Sequence, residues 1–289
     1  MSLRQLSAVL AATAIPVAVS AQRAEPVAVS FVSEGDSVRG RFFETTDGPP
    51  VGTLVLVPGY PGNPNDVLGL GALLAERGVN VLMFNPRGLY ASSGSFSFPH
   101  TLADIAAALQ WLKEPAARSR FGIDTARIAL GGHSFGGGLA LAYAAGDPSI
   151  RRVISVAGND HGVFIRRVLR DSAYAWGIRR MLEGTRDPEG PARYESVQEQ
   201  LDLLAAHQGT YGLRENAPRL ADRAVLLIGG LDDTQVTMED VLLPLYRALQ
   251  DAGARDVSFL AYQADHGFGP VRERMADDIG GWLERRPPP

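Results

Sequence analysis

The 289-residue chain contains no cysteine. That excludes disulfides, thiolate zinc sites, a cysteine nucleophile and lipoprotein attachment. Positive charge is also scarce: the formal net charge is −4 at pH 7, and no dense Lys/Arg block offsets it. The pairs Arg166-Arg167 and Arg179-Arg180 lie far apart and read as helix surface. Broad electrostatic binding to nucleic acid is therefore not expected. There is no HExxH, no phosphate-cradling loop ending in Gly-Lys-Ser/Thr and no acidic calcium loop, so neither metal nor cofactor is expected. Histidine is rare, with five in all. That makes a search for a catalytic base short.

Only one apolar stretch resembles a targeting segment. "MSLRQLSAVLAATAIPVAVSAQ" has Arg4 in a short head, apolar residues from Leu6 to Val19, and Val-Ser-Ala before Gln22. Small residues at the last and third-last positions suit signal peptidase. The stretch contains Pro16 and is short for a bilayer span. Residues 1–21 are thus expected to be a signal peptide, with no stable membrane span after its removal. The mature chain, residues 22–289, is then expected in the periplasm or outside the cell.

What is present is a chain with 45% hydrophobic residues over its full 289, enough for a sizeable core. "PVAVSFVS" and "SVRGRFFE" alternate around a Glu-Gly-Asp turn and predict an antiparallel hairpin. "VGTLVLVPG", "VNVLMFNPRG", "ARIALGG", "RRVISVAG" and "AVLLIGG" are apolar runs suited to strands buried on both faces, and "DVSFLAY" is a last strand. Helical patterns separate them: Val67 to Arg77, a helix through Leu112 with Thr101 and Asp104 as a capping box, Phe135 to Ala145, 238 to 251, and 270 to 285. Residues from about 159 to 218 lack strand runs and read as a helical insert capping one end of the sheet. The expected fold class is α/β: a mostly parallel sheet with helices on both faces, a leading hairpin and a helical cap. "RRPPP" reads as a frayed tail.

Gly132-His133-Ser134-Phe135-Gly136 fits G-x-S-x-G between a predicted strand and a predicted helix. A serine lifted out on such a turn needs a strained backbone, and bulk two residues to either side would strike the neighbouring strand and helix. The following helix points its free N–H groups at the same spot. Ser134 is thus the expected nucleophile. Its base is expected to be His266, in the turn after the last strand at the serine's end of the sheet. His133 reads as a wall residue, His100 precedes the serine, and His161 and His207 fall in the insert. Asp232, Asp233 and Asp160 each follow a strand and are candidate acids, while Asp265 adjoins the base. The expected oxyanion donors are Phe135 N–H and Tyr60 N–H, since Pro61 has none.

These residues together resemble the α/β-hydrolase superfamily. "VPGYPG" looks like its oxyanion loop and "NPRGLYASSG" like its Arg-Gly loop, although Asn85 stands where an aspartate is common and Leu89-Tyr90 is bulkier than expected. "GGLDDTQV" resembles the Gly-x-x-Asp acid loop, which selects Asp233 over Asp232. The resemblance implies a Ser-His-Asp hydrolase acting on a small-molecule ester or acyl substrate. Tyr174, Trp176, Tyr194 and Tyr211 are candidate pocket walls. An aminopeptidase or acyl-peptidase is the alternative, with Glu183, Glu195 or Glu199 to hold an α-ammonium group. A binding protein on a decayed hydrolase fold is the non-enzymatic alternative.

Overall fold

The computed structural model describes residues 25–46 and 48–286. The expected signal peptide and the last three prolines lie outside the described residues. Eight strands form one sheet in the order β1-β2-β4-β3-β5-β6-β7-β8. The strands are β1 (Val27–Ser33), β2 (Asp36–Phe43), β3 (Gly52–Val57), β4 (Val79–Asn85), β5 (Ile128–His133), β6 (Arg152–Val156), β7 (Ala224–Gly230) and β8 (Asp256–Tyr262). β1 and β2 form the expected hairpin, and β2 joins β4 antiparallel. Every pairing from β4 through β8 is parallel. β3, β4 and β6 are buried along their whole length, as apolar runs covered on both faces require.

The helices are α1 (Leu70–Ala75), α2 (Phe98–Lys113), α3 (Pro115–Phe121), α4 (Phe135–Gly146), α5 (His161–Arg170), α6 (Ser172–Thr185), α7 (Val197–Ala206), α8 (Gln208–Tyr211), α9 (Ala217–Leu220), α10 (Leu243–Asp251) and α11 (Arg272–Glu284). Two apolar clusters fill the sheet's faces, one around Phe84, Leu130 and Leu139, the other around Leu54, Ile228 and Trp282. Between β6 and β7 lie the five helices α5–α9, joined by turns and coil, with isolated bridges of Ala192 to Leu89 and Arg186 in place of any strand.

Two helix starts differ from expectation. The helix expected from Val67 begins at Leu70, because Leu68 and Gly69 take positive φ and Asp66 caps the N–H groups of Gly71 and Ala72. The cap of α2 is Ser97, whose Oγ accepts from His100 N–H at 3.1 Å ahead of Phe98-Pro99. Thr101 instead donates its hydroxyl to the Ser97 carbonyl. Asp104 is buried and takes Arg87, whose backbone N–H and Nε both lie 2.7 Å from its oxygens. A long-range ion pair has claimed the residue that local spacing assigns to a capping box. The expected helix over 238–251 opens on a π turn, Met238–Leu242, before α10.

The Arg-Gly loop departs from the superfamily pattern for visible reasons. Asn85 both accepts from Asn63 N–H and donates to its carbonyl, each at 2.9 Å. An ionised aspartate has no donor for the second bond. Leu89 is buried and Tyr90 N–H bonds Pro191, so the bulkier pair ties this loop to the insert.

Candidate active site

β5 lies at the centre of the sheet and delivers Ser134 at its carboxyl end. The serine adopts φ 54° and ψ −117°, outside the regions open to ordinary residues. The flanking glycines are required sterically. A Cβ on Gly132 meets the Gly136 carbonyl group at 2.4 Å, and one on Gly136 meets the Val57 carbonyl oxygen at 2.3 Å. Both are backbone atoms of the adjoining helix and strand.

The carbonyl of Ser134 accepts from the N–H groups of Gly138 and Asn159, each at 3.1 Å. Peptide planarity then directs the Phe135 N–H the opposite way. The Gly59 carbonyl likewise accepts from Gly62 N–H at 2.7 Å, which fixes the Gly59–Tyr60 plane and its Tyr60 N–H. The loop carrying Tyr60 passes close over the serine: a Cβ on Gly59 lies 3.3 Å from Ser134 Cβ and 3.1 Å from His133 Nδ1. Two candidate oxyanion donors are therefore held by carbonyl bonds on their own peptide planes. Sequence alone names the donors but not this bracing.

Asp233 follows β7 and His266 follows β8, neighbouring parallel strands. His266 Nδ1 lies 2.7 Å from Asp233 Oδ2. Asp233 Oδ1 accepts from the N–H groups of Gln235 and Val236 at 2.8 and 2.9 Å. Burial acts to raise this carboxyl, but the His266 bond and the two N–H groups outweigh it and hold the acid below the usual carboxylate range. Asp232 is exposed and accepts from Gln263 Nε2. Asp160 is the cap residue of α5, bonded to Val163 N–H. Asp265 accepts from Gly267 N–H. Of the candidate acids, Asp233 is the one brought to His266.

The other histidines are engaged elsewhere. His100 Nδ1 bonds Ser95 O and His207 Nδ1 bonds Leu203 O, each at 2.8 Å. His133 packs against His266 at 4.7 Å between ring centroids, and its Nε2 donates to the His266 carbonyl at 2.9 Å. Burial, with repulsion from His266, pushes His133 down to about 4. It is a neutral brace for the loop of His266. His161 donates Nε2–H to the Phe135 carbonyl at 3.0 Å, and burial pushes it down to about 4 as well. The sequence places His133 at the elbow and His161 only in the insert, and gives no sign of these bracing bonds.

A cavity of about 340 Å³ opens beside Ser134. Phe96, Phe98, Phe135 and Phe164 line it with Ile178, Met181, Leu182 and Leu201. Tyr174 is in its wall as anticipated. The other three tyrosine and tryptophan candidates are not: Trp176 is exposed, Tyr211 packs against Phe98, and Tyr194 donates to Leu182 O from behind the wall. Glu183, Glu195 and Glu199 do not line the cavity either. Tyr60 joins the two halves of the site, its hydroxyl lying 2.7 Å from Thr185 Oγ1 at the end of α6. Among the described residues, no group of three acidic or histidine side chains is placed to hold a metal ion, and no helix is long and apolar enough to cross a membrane.

A serine on a strand–turn–helix after β5, with a carboxylate after β7 and a histidine after β8, is the arrangement found in α/β hydrolases. Residues 52–219 match the family described as alpha/beta hydrolase fold, and the chain belongs to that family. It is 33% identical over 123 residues to the uncharacterized protein YfhR of Salmonella typhi. That match covers 41% of this chain and 40% of YfhR, so the chain spans about two fifths of the curated relative. The fold is similar to that of the Pyrococcus furiosus esterase Pf2001, with a TM-score of 0.67 and 18% identity, over 90% of this chain and 91% of that one. It is also similar to the Pyrococcus horikoshii acylaminoacyl peptidase, with a TM-score of 0.66 and 18% identity, over 93% and 42% of the two chains.

Proposed function

We propose that the protein hydrolyses carboxylic esters through an acyl-enzyme on Ser134. The observation that carries this reading is the Asp233–His266 bond, formed at the same end of the sheet as a serine on a strained turn. Ser134 Oγ attacks the acyl carbon as His266 Nε2 takes its proton. Asp233 holds the proton on Nδ1, keeps the ring oriented and stabilises the imidazolium. The N–H groups of Tyr60 and Phe135 receive the oxyanion, and loss of one such donor typically costs ~3 kcal/mol of transition-state stabilisation. His266 returns its proton to the leaving alcohol. It then draws a proton from water as the water oxygen attacks the acyl carbon, and passes that proton to Ser134 Oγ as the C–Oγ bond breaks and the carboxylic acid leaves.

The aromatic and aliphatic cavity wall favours an ester over an aminopeptidase substrate. Among the described residues no carboxylate lines it to meet an α-ammonium group. The helices of the insert, near residues 159–218, supply about half of that wall. The leader sequence supports cleavage before Gln22 and a periplasmic or secreted location for the mature enzyme. Hydrolysis of p-nitrophenyl esters beside aminoacyl anilides tests the reading. Ester turnover without anilide turnover is expected, whereas faster anilide cleavage contradicts it.

A further inference from the structure

Among the described residues, Arg167 is the one charged side chain lining the cavity. Its guanidinium lies 4.0 Å from the centroid of the Tyr174 ring, itself part of the wall. Stacking on an aromatic face fixes the plane of the fork and leaves its N–H edge free. Asp171 approaches Arg167 Nε to 4.0 Å, a long ion pair between two exposed side chains. The adjacent Arg166 differs: its NH2 lies 3.0 Å from Glu215. Two neighbouring arginines on one helix are thus disposed differently. Arg166 is closely paired with Glu215, while Arg167 is stacked on Tyr174 at the cavity mouth, solvent-exposed and with only a distant partner in Asp171.

A second observation is independent of Arg167's geometry. From His161 to Arg186, which spans α5, α6 and the residue after, six arginines stand against only Asp171 and Glu183. This segment is therefore basic in a chain whose formal net charge is −4. Its residues Phe164, Tyr174, Ile178, Met181 and Leu182 are wall residues of the cavity. A basic roof over a low-dielectric cleft raises the local concentration of anions.

Resting on the ester hydrolase reading above, we infer that the substrate carries an anionic group, a carboxylate, which the Arg167 fork takes at the cavity while the ester reaches Ser134. The apolar wall holds the part between them. The planar fork matches a carboxylate with two parallel N–H···O bonds. The same charge disfavours substrates bearing an ammonium group.

The test compares matched esters on the full mature chain. p-Nitrophenyl hydrogen adipate is paired with p-nitrophenyl hexanoate, placing the charge on the acyl side. 4-Carboxyphenyl acetate is paired with phenyl acetate, placing it on the alcohol side. In one of the two pairs the anionic ester is expected to have kcat/KM ~5-fold or more above its neutral partner, the modest size reflecting a solvent-screened arginine. Added NaCl should shrink that ratio. Arg167→Gln should bring it to one or below, and Arg167→Lys should restore part of it. Ratios of one or below in both pairs, or a preference that survives Arg167→Gln, overturn the inference. Turnover of the neutral esters and labelling of Ser134 report on the hydrolase reading separately, so failure of one is distinguishable from failure of the other.

Discussion

Nδ1 of His266 lies 2.7 Å from Oδ2 of Asp233, across the turns that end two neighbouring parallel strands. The second oxygen of Asp233 is occupied by two backbone N–H groups, so the carboxylate is fixed before any substrate arrives. Asp233→Asn is expected to lower kcat by ~10³ to 10⁴, since the amide cannot hold the tautomer that leaves Nε2 free. Asp232→Asn should stay within a few-fold of the parent, because that carboxylate faces Gln263. Steady-state ester hydrolysis by the two variants checks both, and the reverse order would place the acid one residue earlier.

The buried histidines make stability depend on pH with a definite sign. His133 and His161 are pushed down to about 4 from an ordinary value of 6.5. Between those values the unfolded chain binds more protons than the native one, so stability rises with pH and levels off above about 6.5. Each histidine contributes a slope of ~1.4 kcal/mol per pH unit inside that window. Urea midpoints from pH 4.5 to 7.5 should show the slope, and His161→Gln should reduce it. A stability profile flat across that range counts against neutral burial of these rings.

The elbow stores strain that glycine relieves. Ser134→Gly and Ser134→Ala both remove the nucleophile, but only glycine takes φ 54° without steric cost. Thermal unfolding should place Ser134→Gly above Ser134→Ala by ~1 kcal/mol or more. Gly136→Ala should instead lose stability by at least ~2 kcal/mol, because its Cβ strikes the Val57 carbonyl rather than a movable side chain.

The cavity wall sets acyl length in this account. Ile178→Trp and Leu201→Trp put bulk into a space of about 340 Å³. Hexanoate and octanoate esters should lose kcat/KM ~10-fold or more while acetate changes little. Equal losses for all chain lengths would mean that the acyl group lies elsewhere.

Most of the sheet and the placement of the elbow serine are legible because the signals are local. Buried parallel strands read as apolar runs, and Gly132 and Gly136 mark the turn at Ser134. Asp233 needed the resemblance, since Asp232 and Asp233 are equivalent until the turn after β7 fixes which one faces β8. The capping box at Thr101 failed for the opposite reason: Arg87, 17 residues before Asp104, determines where that carboxylate goes. The bracing roles of His133 and His161 depend on carbonyls 133 and 26 residues away in the chain. The pocket wall was only partly legible, because Tyr174, Trp176, Tyr194 and Tyr211 look alike until the insert packs.

The most direct measurement is covalent labelling of the purified mature protein with a fluorophosphonate, beside Ser134→Ala and His266→Ala, with intact mass and peptide mapping. A single adduct on Ser134 is expected in the parent, none in Ser134→Ala, and greatly slowed labelling in His266→Ala. A folded parent that takes no label, or one labelled at another residue, would contradict the hydrolase reading.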